Sequence, residues 1–123
     1  MHALIVDDST TMRLILKTHL TKLGFDVTEA VNGRDALERL REMERADLVL
    51  VDWNMPEMDG ISFVRAVRAE FEYASLPLMM VTTNTDLLHV STALEAGANE
   101  YIMKPFTGEM IREKLEMLGF LEV

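Results

Sequence analysis

Four short strand-like runs each end on residues able to do chemistry. Ala3–Val6 runs into Asp7 and Asp8, Leu48–Val51 into Asp52, Leu78–Val81 into Thr82 and Thr83, and Glu100–Met103 into Lys104, which Pro105 follows. Three carboxylates gathered at one place repel, and one is forced to bind a proton unless a cation joins them. Oxygen ligands without His or Cys select a hard ion, and Mg²⁺ is the usual choice. Lys104 adds a positive point charge. A site of this kind suits a highly charged anion, which points to phosphoryl chemistry. An aspartate can itself be the nucleophile there, forming an acyl phosphate. Taken singly, each feature has an ordinary role: Asp8 or Ser9 would cap the first helix, Thr82 would end a strand, and Lys104-Pro105 would enter a loop. Their joint placement on one edge carries the chemical reading.

That placement depends on the elements between them. The apolar runs alternate with segments of helical period. Thr10–Leu23 has Met12, Ile15, Leu16, His19, Leu20 and Leu23 at helical spacing and closes on Gly24. Phe25–Ala30 alternates apolar and polar, as a half-exposed edge strand does. Asn32-Gly33 leads into a helix carrying Ala36, Leu37, Leu40 and Met43, and further helices are expected at 58–71, 86–96 and about 108–118. Five strands alternating with five helices predict an α/β fold with a doubly wound parallel sheet covered on both faces. The runs at 3–6, 48–51 and 78–81 are apolar on both faces and belong at its centre. Right-handed crossovers leave few topologies, and strand order 2-1-3-4-5 satisfies the pattern. Ligands then bind beyond the carboxyl ends of the strands, at the switch point between strands 1 and 3.

Composition removes other classes. The 123 residues fit one domain, 1–123, able to bury a core without disulfides or structural metal. No cysteine is present, which excludes disulfide frameworks, thiol nucleophiles and zinc knuckles. A net charge of −9 argues against a nucleic-acid surface. The absence of a long apolar run argues against a membrane span or signal segment and for a cytoplasmic location. Ten methionines read as adaptable core packing.

The strings IVDD, LVLVDWNMPEMDG, MMVTT and EYIMKPF resemble the receiver domains of two-component response regulators, specifically the chemotaxis-type single-domain regulators. The resemblance covers the whole chain. It implies a flavodoxin-like (βα)₅ fold and a signalling receiver that catalyses only its own phosphorylation and dephosphorylation. Asp52 would take a phosphoryl group from a sensor histidine kinase or a histidine phosphotransfer protein. Asp7, Asp8, Asp52 and the backbone carbonyl of Asn54 would hold Mg²⁺, with Asp7 acting through water. Lys104 would contact the phosphoryl oxygens, and Pro105 would follow a cis peptide bond. Thr82 would bond to the phosphoryl group in the active state, with Tyr101 then moving inward, and a downstream target protein would read the change. A phosphorelay shuttle without a motility role is the alternative output. Asn54 and Asn84 occupy the positions that tune phosphoryl lifetime, and Thr83 replaces a commonly smaller residue.

Rival chemistries fit less well. A haloacid dehalogenase-type phosphatase needs a second aspartate two residues after the nucleophile, where this chain has Asn54. A flavin carrier of the same fold needs a Ser/Thr/Gly-rich phosphate loop where this chain has Asp7-Asp8. For output, the face of the fourth helix, fifth strand and fifth helix collects Leu87, Leu88, Tyr101, Met103 and Phe106, with Lys114 as a charge at its rim. That patch suits an amphipathic helix or another receiver, giving a monomer or weak dimer.

Overall fold

The computed structural model describes residues 1–83 and 87–120; the side chains of Leu87 and Leu88, and all of Asn84, lie outside that description. Five strands, β1 (His2–Val6), β2 (Asp26–Ala30), β3 (Leu48–Asp52), β4 (Leu78–Thr82) and β5 (Glu100–Met103), alternate with five helices. The helices are α1 (Thr10–Lys22), α2 (Gly33–Glu42), α3 (Gly60–Ala69), α4 (Leu87–Ala96) and α5 (Gly108–Met117). The strands pair in parallel in the order β2-β1-β3-β4-β5. This is the expected topology. None of the helices among the described residues is long and apolar enough to cross a membrane.

Strand periodicity divides the core in two. Leu4, Val6, Val49, Val51, Leu78 and Met80 face one side, where Ala36 and Leu40 of α2, Phe63, Val64 and Val67 of α3 and Ala93 of α4 cover them. Ala3, Ile5, Leu48, Leu50, Met79, Val81 and Ile102 face the other, under Leu16 and Leu20 of α1 and Ile111 and Leu115 of α5. The central strands are buried on both faces, which accounts for their unbroken apolar runs. β2, at the edge, is half-exposed over most of its length. Six methionines (Met12, Met43, Met55, Met58, Met79 and Met80) pack in or against these cores, in line with their expected role.

Side chains set where four helices begin. Ser9, Asn32, Asp59 and Thr107 each accept a hydrogen bond from the backbone N–H three residues on, satisfying a donor that the first helical turn leaves open. Asp59 as a cap shortens α3 at its start, and a 3₁₀ turn at Phe71–Tyr73 shortens it at its end, so α3 is Gly60–Ala69 rather than 58–71. Ile15, expected on the buried face of α1, is 39% exposed, because Leu16 and Leu20 already fill that face. Gly97 holds φ +120 after α4, and a Cβ there would meet the Arg68 side chain 2.6 Å away. Arg68 uses that space to donate to Gly97 O, Tyr73 O and Asn99 Oδ1, tying α3 to the loop ahead of β5.

Candidate functional site

Alternation along the strands decides which end residues meet. Asp7, Asp52 and Lys104 lie two residues beyond Ile5, Leu50 and Ile102, which all face the α1/α5 side. They therefore project to the same side of the sheet edge. Thr82 lies two residues beyond Met80 and so shares the opposite side with Tyr101, whose ring packs against the α3/α4-side core. The site is thus split across the sheet: charge on one side, the expected switch pair on the other.

The charged half is tight. Lys104 Nζ lies 3.2 Å from Asp7 Oδ2 and 3.5 Å from Asp52 Oδ1, with all three side chains largely buried. Its own backbone N–H donates to Thr82 O at 2.9 Å, which fixes the lysine at the end of β4. The Lys104–Pro105 peptide is cis, as the resemblance implies. Asp7 is oriented from both sides. Its Oδ1 accepts the Ser9 N–H at 2.8 Å, while Arg13 Nη1 donates to its backbone carbonyl at 2.7 Å. Asp52 Oδ1 accepts the Trp53 N–H at 2.8 Å.

Burial pushes the Asp52 carboxyl above the usual aspartate range; Lys104 opposes this and the neighbouring Asp7 charge adds to it. Carboxylate oxygens of Asp7, Asp8 and Asp52 all lie within 4.8 Å of one another, with Asp8 exposed. Three carboxylates and one ammonium leave two negative charges uncompensated. That is the charge of one divalent cation, and the all-oxygen donor set suits a hard one. The residues fit a metal site open to solvent on the Asp8 side.

The loop after Asp52 closes back on it. Gly60 N–H donates to Trp53 O at 2.9 Å, and the Trp53 ring meets His89 of α4 edge-on at 4.9 Å. Asn54 and Thr83 are exposed at the rim.

The expected output face is only partly assembled. Met103 is 40% exposed and Tyr101 half-buried. Phe106, expected on this face, instead packs against the α1/α5-side core and meets the His19 ring edge-on. Lys114, expected as a charge at the rim, pairs through its Nζ with Glu100 Oε1 at 2.9 Å. Glu100, Arg13 and Gly60 were not singled out by sequence reasoning. Glu100 and Lys114 are fourteen residues apart and no local pattern joins them, whereas Gly60 stands in the MDG string with its role unread.

Residues 3–116 match the response regulator receiver domain family. A chemotaxis protein CheY homolog of Campylobacter jejuni is 50% identical over 117 residues, covering 94% of this chain and 90% of the relative. Chemotaxis protein CheY1 of Helicobacter pylori is 46% identical over 119 residues, 96% of each chain. The solved structure of Vibrio cholerae chemotaxis protein CheY4 superposes with a TM-score of 0.88 at 34% identity, covering 94% of this chain and 96% of the other. With the fold, the acidic cluster and these likenesses in agreement, the chain belongs to the response regulator receiver domain family of two-component systems.

Proposed function

We propose that Asp52 accepts a phosphoryl group from a phosphohistidine of a sensor kinase or phosphotransfer protein, and that a chemotaxis-type target reads the result in the cytoplasm. The observation that carries this reading is the Lys104 ammonium held between the carboxylates of Asp7 and Asp52. An oxygen of Asp52 forms the new P–O bond as the donor's N–P bond breaks, leaving an acyl phosphate. The Trp53 N–H holds one carboxylate oxygen of Asp52. Lys104 is positioned to neutralise charge on the transferred oxygens.

Asp7, Asp8, Asp52 and the Asn54 carbonyl would hold Mg²⁺, which when bound supplies charge neutralisation and orientation at the phosphoryl group. The Asn54 amide cannot act as a proton-exchanging base, so hydrolysis of the acyl phosphate is left to water and the same site. Thr82 would bond to the phosphoryl oxygens and bias an equilibrium that includes Tyr101, on the same side of the sheet. Output would pass through α4, β5 and α5, with Tyr101 and Met103 at its centre and Leu87 and Leu88 on α4. The chemotaxis assignment draws on the names of the relatives; a phosphorelay shuttle is the other output to test.

Incubation with acetyl phosphate and Mg²⁺ tests the chemistry. Wild type should take up one hydroxylamine-labile phosphoryl group and Asp52→Asn none. Stoichiometric labelling of the Asn variant overturns the assignment.

A further inference from the structure

Glu100 stands immediately before Tyr101 on β5, the edge strand of the sheet. Its Oε1 accepts two hydrogen bonds, one from the Tyr101 backbone N–H at 3.0 Å and one from the Lys114 ammonium at 2.9 Å. The same ammonium lies 4.9 Å from the centroid of the Tyr101 ring. Carboxylate, ammonium and ring thus form a closed set across β5 and α5. The Glu100 and Lys114 side chains are only 15% and 26% exposed, so this pair is better shielded than an ordinary surface pair. The backbone hydrogen bond also restricts the Glu100 rotamer, so less side-chain freedom is lost when Lys114 is held.

We propose that Glu100 is a positioning residue for the switch: by anchoring Lys114 over the Tyr101 ring, it weights the aromatic side chain toward the placement seen here. The inference rests on the reading of Tyr101 as the switch residue. A change of Tyr101 rotamer carries the ring away from the ammonium and forfeits a cation–π contact formed partly out of water. An acidic group of a bound partner that reaches Lys114 competes with Glu100 for it and loosens the hold on the ring. Partner binding and the Tyr101 transition then favour each other, as reciprocal linkage requires.

The chain has two tyrosines, Tyr73 and Tyr101. Biosynthetic 3-fluorotyrosine therefore gives two ¹⁹F resonances, and Tyr73→Phe assigns them. Spectra of the full chain with Mg²⁺, before and after beryllofluoride, report the Tyr101 environment directly. In wild type, beryllofluoride should move the Tyr101 resonance. Glu100→Gln and Lys114→Met should each move it part of the way without beryllofluoride, by a change in conformer ratio of roughly threefold to tenfold. Lys114→Arg, which keeps both contacts, should look like wild type. If beryllofluoride moves the wild-type resonance but neither Glu100→Gln nor Lys114→Met does so alone, the role of Glu100 is overturned while the switch stands. A wild-type resonance that ignores beryllofluoride overturns the switch reading, and this role with it.

Discussion

Gly60→Ala should damage the site from outside it. Gly60 opens α3 behind the Asp59 cap, and its N–H closes the loop onto Trp53 O. Its φ is not in the left-handed region, so the backbone itself would accept alanine. The obstacle is the neighbour. A Cβ at Gly60 would lie 3.0 Å from both the Asp52 carbonyl carbon and Trp53 Cα, and closer still to the Asp52 carbonyl oxygen. Carbon atoms rest at about 3.5–4.0 Å, and the Asp52 oxygen lies nearer still, so one backbone must retreat by about 1 Å or more. No flexible side chain is present to absorb the shift, because every close atom is main chain. Overpacking of this kind costs about 1–3 kcal/mol. At roughly 4 °C per kcal/mol for a domain of this size, the melting temperature should fall by about 4–12 °C.

The displaced atoms belong to the phosphoacceptor, so acetyl phosphate should label Asp52 more slowly, by up to about 10²-fold for a 1 Å misplacement. Scanning calorimetry and initial labelling rates measure the two effects. Gly24→Ala is the control: it strains a residue at φ +93 with nothing within 4 Å, so it should lower stability without slowing labelling. A Gly60→Ala protein with wild-type melting and wild-type labelling would refute the argument.

Three further outcomes are expected. Without metal, Asp52→Asn should raise stability at pH 7, read as a higher urea midpoint, because burial disfavours the charged carboxylate. Since the folded carboxyl is raised, that advantage should grow as pH climbs from the ordinary aspartate value through the Asp52 value and vanish in acid; an Asn variant less stable at pH 7 counts against it. Asp8→Ala should weaken Mg²⁺ binding, followed by Trp53 fluorescence, by roughly tenfold or more, and an unchanged affinity would move the metal elsewhere. Thr82→Ala should still accept phosphoryl from a small donor but lose the coupled change in α4 and β5, and wild-type amide exchange there after phosphorylation would exclude Thr82 as the link.

Residue pattern alone was enough to read much of this molecule. Unbroken apolar runs at 3–6, 48–51 and 78–81 mark strands buried on two faces, and the polar residues that end them lie on one edge once the strands are parallel. Asp7, Asp52 and Lys104 were legible for that reason, since periodicity and topology suffice to bring strand ends together. Pairings between elements were not. Phe106 is expected on the output face, yet its ring packs against the α1/α5 core. Lys114 is expected as a charge at the rim, and only the packing of α5 on β5 brings it to Glu100 and over Tyr101. Gly60 carries no sign in the sequence of the carbonyl it approaches. Local pattern determines which residues share a face, because side chains repeat every 2.0 residues on a strand and every 3.6 on a helix. Which side chain of one element meets which of another is set by the packed positions of helices against the sheet, and only the tertiary structure decides those.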